Sequence, residues 1–133
     1  MDHEQSGQTL LIVDDEAGVI HAFCEALEDC GHRVLTTTNP HQALEILSSS
    51  QPLDLIVIDL FMPAMDGATL LKKCRQVRPG LKAILTSGIA SETELRRWRA
   101  RGEVIVPKPW RDAELRNAVT RVISGRRSAT LVR

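Results

Sequence analysis

Tyrosine is absent from this 133-residue chain, and phenylalanine and tryptophan occur only twice each. Cysteine is scarce as well. Cys24, Cys30 and Cys74 are odd in number and show neither C-x-x-C nor mixed Cys/His ligand spacing, which excludes a disulfide framework or a structural zinc site as the organising feature. Reduced thiols, buried or half-buried on helices, are expected instead. Net charge is also lacking: Lys+Arg and Asp+Glu both number 17, so no basic field recruits nucleic acid or anionic lipid. No apolar run approaches membrane-spanning length, and the opening MDHEQSGQ is polar and acidic, unlike a secretory leader. A cytoplasmic protein without membrane or direct nucleic-acid contact is the expectation. The length suits one domain with one full core.

What the chain does have is five buried-strand signals, each followed by a helical pattern. The central one is Leu53–Gly67, LDLIVIDLFMPAMDG. Its run Leu55-Ile56-Val57-Ile58 has β-branched residues and no polar alternation, as in a parallel strand covered on both faces, and it ends on Asp59. A carboxylate there either caps a loop or serves a site beyond the sheet. Met62-Pro63 and Asp66-Gly67 then turn the chain into a helix.

The other segments follow suit. Thr9–Val13 reads as a strand ending in Asp14-Asp15, with Glu16 after it, and Ala17–Cys30 as a helix stopped by Gly31. A strand over 32–38 precedes the Asn39-Pro40 helix start, and that helix runs through Leu47. Ala68–Val77 is helical and is broken by Arg78-Pro79-Gly80. Leu81–Thr86 is a fourth strand leading to Ser87 and Gly88, and Ser91–Arg101 is a helix with a capping-box start. Glu103–Pro107 is a fifth strand followed by Lys108-Pro109-Trp110, and the last helix spans about 111–124. Residues 1–8 read as a flexible lead and 125–133 as a tail or linker start. Strict alternation implies an α/β fold, with a parallel sheet, right-handed crossovers and helices on both faces. In such a sheet the site lies beyond the carboxyl ends of the strands.

Four strands deliver chemistry to that edge: Asp14-Asp15, Asp59, Thr86-Ser87 and Lys108. One acid at a strand end is commonly a cap, but coincidence at four ends favours function. Clustered carboxylates repel unless a cation neutralises them. Mg²⁺ suits oxygen ligands while keeping waters and room for a phosphate oxygen. Lys108 adds a mobile positive charge for a carboxylate or phosphoryl group, and a hydroxyl can donate to the latter. One carboxylate can then act as a nucleophile and become an aspartyl phosphate.

In their order and identity, Asp14-Asp15, Asp59, Met62-Pro63, Asp66-Gly67, Ser87 and Lys108-Pro109 resemble the receiver domain of two-component response regulators, over about residues 9–124. The resemblance implies a doubly wound (βα)5 flavodoxin-like fold with five parallel strands in the order 2-1-3-4-5. It implies Asp59 as phosphoacceptor, Asp15 as a direct Mg²⁺ ligand, Asp14 as an acid holding the ion largely through water, and the Phe61 backbone carbonyl as a further ligand. Lys108 would pair with the phosphoryl group, ahead of a cis Lys108-Pro109 bond. Ser87 would be the switch hydroxyl, with Thr86 as the alternative. The implied partners are a sensor histidine kinase or phosphotransfer protein and a downstream effector, with homodimer formation among the family's options. The implied output face carries Trp98, Arg101, Ile105, Trp110 and Arg111. Packing roles compete with output roles for Trp98 and Trp110.

Three positions depart from the family pattern. Ile105 stands where an aromatic ring is common, so the usual ring-swing coupling is unavailable. Phe61 and Ile89 are apolar at positions flanking the acid and the hydroxyl, which predicts slow loss of phosphate. Two other readings compete. A haloacid-dehalogenase-like phosphatase would place a second Asp two residues after the first, where this chain has Phe61. A degenerate receiver acting as a binding scaffold would have lost an acid or the lysine, and all are present.

Overall fold

Strand–helix alternation carries through to the structure, a computed structural model that describes residues 7–125. The elements are β1 Thr9–Val13, α1 Ala17–Glu28, β2 Arg33–Thr37, α2 Pro40–Ser48, β3 Leu55–Asp59, α3 Gly67–Val77, β4 Lys82–Ser87, α4 Glu92–Ala100, β5 Val104–Pro107 and α5 Asp112–Ser124. All neighbouring strands pair in parallel, in the order β2-β1-β3-β4-β5. The order reverses at β1, which has β2 on one side and β3 on the other. That reversal opens a crevice above the carboxyl ends of β1 and β3. The proposed lead and tail lie outside the described residues, apart from 7, 8 and 125.

Side chains alternate across the strands and so build a core on each face of the sheet. Leu11, Val13, Ile56, Ile58, Leu85 and Ile105 pack toward α2 and α3, against residues such as Leu47, Leu70 and Cys74. Leu10, Ile12, Leu55, Val57, Ile84 and Val106 pack toward α1 and α5, against Phe23, Leu27, Leu115 and Val119. Residues 55–58 are at most 1% exposed, which explains their unbroken apolar run. Burying each such side chain contributes roughly 1.5–3 kcal/mol before entropy is counted.

Local chemistry starts and stops the helices. The Asn39 side chain accepts from the His41 N–H at 2.8 Å beside Pro40, and Asp66 accepts from the Thr69 N–H at 2.8 Å to open α3. Ser91 and Glu94 form the reciprocal capping box of α4. Arg78 donates to the carbonyls of Leu47 and Ser49, both at 3.0 Å, satisfying the end of α2 from across the fold. Arg75 grips Glu103 with two bonds, of 2.6 and 3.0 Å, tying α3 to the entry of β5.

Several boundaries shift by a residue or two from the sequence expectation, and two of the shifts bear on named residues. α1 ends at Glu28 because the next N–H groups, of Cys30 and Gly31, bond back only three residues, to Leu27 and Glu28. Cys30 therefore lies beyond the helix, while Cys24 and Cys74 are on helices as expected. β4 continues through Ser87, so Thr86 and Ser87 are both strand residues. α4 differs from the other helices in having no buried residue, and only Leu95 and Trp98 lean partly on the core.

Candidate functional site

Each strand brings its polar residue to the carboxyl edge just after its apolar run ends. β1 delivers Asp14, fully buried, and Asp15, exposed. β3 delivers Asp59 at 4% exposure, β4 delivers Thr86 and Ser87, and Lys108 follows β5. One carboxylate oxygen from each of Asp14, Asp15 and Asp59 lies within 4.8 Å of the others. The Lys108 ammonium donates to Asp14 Oδ2 at 2.8 Å, with Asp59 Oδ2 at 3.5 Å and Glu16 Oε1 at 3.9 Å. Residues separated by up to 94 positions in sequence thus share one pocket.

Backbone donors hold these groups in place. Asp14 Oδ1 accepts from the Glu16 N–H at 2.9 Å, and Asp59 Oδ1 from the Phe61 N–H at 3.2 Å. The Leu60 N–H donates to the Thr86 carbonyl and the Lys108 N–H to the Ser87 carbonyl, which pins the loops after β3 and β5 to β4. The Lys108-Pro109 bond is cis. Ser87 Oγ accepts from the N–H groups of Ile89 and Ala90 at 3.2 and 3.0 Å.

Gly67 closes the site from behind. Its N–H donates to the Leu60 carbonyl at 2.8 Å, and a Cβ there would come within 2.6 Å of Leu60 Cα and 3.0 Å of the Asp59 carbonyl carbon. Any larger residue would push on the backbone that carries Asp59.

Burial, followed by the neighbouring Asp14 carboxylate, raises the Asp59 pKa above its ordinary 3.8, while the Phe61 N–H and Lys108 offset this only in part. Burial works to lower Lys108, but the hydrogen bond and charge of Asp14, with Asp59 and Glu16, hold its pKa above the ordinary 10.5. The pocket therefore holds three acids against one permanent cation, an arrangement that a further cation would complete. Its donors are all carboxylate oxygens, the chemistry that fits a hard divalent ion.

Sequence reasoning named all of these acids and the lysine. It gave no role to Glu16, which the Lys108 contact brings to the rim, and only adjacency to Asp15 could have signalled it. Phe61 and Ile89 stand exposed beside the pocket, at 43% and 73%. The expected output residues divide. Arg101 and Arg111 are exposed, and the Arg101 guanidinium lies 4.9 Å over the half-buried Trp98 ring. Trp110 packs on Phe23 with ring centroids 4.4 Å apart, against the α1/α5 core. Ile105 is 5% exposed and belongs to the core on the α2/α3 side, so the structure removes it from the expected output surface. Strand alternation puts it on the sheet face opposite Val106, and both faces are covered. No helix among the described residues is long and apolar enough to cross a membrane. Two surface hollows lie at the opposite sheet edge, around Gln8, Asp54 and Lys82 and between Arg75, Arg99 and Arg121, away from the acid cluster.

Comparison with known proteins points the same way. The family model described as "Response regulator receiver domain" matches residues 10–120. Sporulation initiation phosphotransferase F of Bacillus subtilis is 26% identical over 87% of this chain and 94% of its own length. Sensor kinase CckA of Brucella abortus is 33% identical over 86% of this chain, which spans only 12% of that protein. The chain likewise spans 25% of the DNA-binding transcriptional regulator NtrC of Azospirillum brasilense, at 30% identity over 90% of this chain. Among solved structures, a response regulator receiver protein from Sinorhizobium medicae is 29% identical with a TM-score of 0.76, covering 89% of this chain and 95% of that one. A CheY-like receiver domain protein from Methanospirillum hungatei gives a TM-score of 0.80 at 25% identity, over 90% and 95%.

Proposed function

The chain belongs to the response regulator receiver domain family, and from that premise we propose that it is a phosphorylation-controlled switch with Asp59 as its phosphoacceptor. One observation carries the reading: the Lys108 ammonium sits between the Asp14 and Asp59 carboxylates, at 2.8 and 3.5 Å, with Asp15 in the same cluster. Asp14, Asp15 and Asp59, with the Phe61 carbonyl, would hold Mg²⁺, which supplies charge neutralisation for a phosphoryl group entering among acids.

The step itself is a displacement at phosphorus. An Asp59 carboxylate oxygen forms the new O–P bond as the N–P bond of a phosphohistidine, on a kinase or phosphotransfer protein, breaks. The electron pair leaves with the imidazole, which takes up a proton. Lys108 stabilises charge on the phosphoryl oxygens, and in-line positioning by the pinned β3 and β5 loops does the rest. Ser87 would turn its hydroxyl from the Ile89 and Ala90 N–H groups toward the phosphoryl oxygen. That shift releases the segment leading to α4 and biases a conformational equilibrium read by an effector protein in the cytoplasm.

Incubation with acetyl phosphate and Mg²⁺, followed by intact-mass analysis, tests the reading. One added phosphoryl group, abolished by Asp59→Asn, supports it. Absence of any adduct on the folded chain would favour a binding scaffold. Continuous release of phosphate from many esters would favour a phosphatase.

A further inference from the structure

The amino-terminal ends of β4 and β5 frame a hollow of about 850 Å³ at the far end of the sheet from Asp59. The last turns of α3, α4 and α5 reach it, and each brings one arginine to its lining: Arg75, Arg99 and Arg121. Lys82, the first residue of β4, adds a fourth cation. Among the described residues that line the hollow, Glu103 is the one acid. A chain whose formal charges cancel overall thus gathers positive charge in one place.

Basic residues at a helix C-terminus commonly serve the helix, whose end carries about half a negative elementary charge. That role accounts for part of the set. Arg75 is spent on Glu103 through two bonds, and the Lys82 ammonium donates to the Ile123 carbonyl at 2.9 Å. Arg99 reaches the Ile105 carbonyl only at 3.5 Å, and the Arg121 side chain is exposed. No acidic side chain among the described residues pairs with Lys82, Arg99 or Arg121. Once Arg75 and Glu103 cancel, three full cations stand against roughly 1.5 charges from three helix ends. The surplus is positive.

The lining also narrows the kind of anion. The N–H groups of Leu81, Gly102, Glu103 and Gly125 already donate to nearby carbonyls, which leaves them unable to cradle a phosphate. No aromatic ring lines the hollow to stack a base. What it offers is cationic heads carried on three different elements, beside the half-buried Val104 and Val122. A guanidinium fork matches a carboxylate, and carboxylates spaced along a peptide suit cations spaced around a wall.

We propose that this hollow binds an acidic peptide segment of a partner protein, its carboxylates meeting Lys82, Arg99 and Arg121 and an aliphatic side chain resting on Val104 and Val122. The inference stands independently of the role of Asp59.

Fluorescence anisotropy on the full chain tests it, with a short fluorescein-labelled peptide rich in Glu around one central Leu. The wild-type chain binds the peptide, and added salt weakens binding. The double variant Arg99→Glu/Arg121→Glu weakens it by at least about tenfold, because like charges then face each other. Lys72→Glu/Lys73→Glu, an equal change of charge at exposed α3 positions outside the hollow, leaves binding as in wild type. Circular dichroism checks that both variants fold; should the first not do so, Arg121→Gln alone still weakens binding several-fold. A wild-type chain that ignores the peptide at low salt would overturn the proposal. So would an Arg99/Arg121 variant that binds normally, or an equal loss in the Lys72/Lys73 variant, which would assign the effect to net charge. Pyrophosphate or a labelled oligonucleotide binding more tightly than the peptide, and lost in the Arg99/Arg121 variant, would overturn the peptide assignment in favour of a phosphate ligand.

Discussion

The strands of this sheet change character within a single residue step. Leu10–Val13 and Leu55–Ile58 are at most 1% exposed and belong to the apolar clusters above and below the sheet. One step further, Asp14 and Asp59 are just as buried, at 0% and 4%, but carry charge. The lower rows lower the free energy of the fold. The upper row raises it, because like charges are held together out of water with one ammonium between them. Stability and chemistry are thus separated along the strand axis rather than between different elements, and the apolar rows tolerate what the upper row costs.

Substitutions that act on one row and spare the other sharpen this contrast. The largest effect is expected below: Phe23→Ala removes the ring that fills the α1 face of the core and supports Trp110, and should cost about 3–5 kcal/mol in urea unfolding. The fraction that stays folded should still accept phosphate. Next is Gly67→Ala, at the junction of the rows. Its methyl group meets backbone, and overpacking of that kind costs about 1–3 kcal/mol. Because the strained backbone carries Asp59, phosphorylation by acetyl phosphate should slow as well. An Ala variant with wild-type kinetics would show that the junction yields without disturbing the site.

Asp59→Asn should do the reverse of a core substitution and raise the Tm at neutral pH in chelator-treated buffer. The sign follows from the raised pKa of Asp59. Between the ordinary 3.8 and the higher folded value, the folded state binds more protons than the unfolded one, so stability falls as pH rises through that window. The Asn variant escapes the loss, and its advantage should vanish below that ordinary value. A gain that persists at low pH would assign it to packing. The smallest effect belongs to the rim: Phe61→Asn should speed spontaneous loss of phosphate several-fold with little change in Tm, measured by the decay of the intact-mass adduct.

The acids were legible in the sequence because a charge directly after an unbroken apolar run has few places to go except the sheet edge. Lys108 was legible for the same reason. The strand order came from family resemblance, since five strand–helix units wind equally well in other orders as far as periodicity can tell. Cys30 and Ser87 were misassigned by a residue or two because turns of three-residue bonds and strand ends leave no compositional mark. The packing of Trp110 on Phe23 brings together residues far apart in sequence, and nothing local announces it. Nor could a sequence show that Ile105 faces inward, or that only one of two adjacent hydroxyls finds a partner; both depend on which face of β4 and β5 each residue takes.

α4 has a consequence of its own. A helix with no fully covered side chain is held by little: Leu95 and Trp98 lean on the core, the Trp98 carbonyl accepts from the Glu103 N–H, and Arg99 reaches the Ile105 carbonyl. Its reciprocal cap at Ser91 and Glu94 moves with it, so the segment remains intact when displaced. It is a tile laid on the wall rather than a brick within it, and the masonry behind does not rest on it.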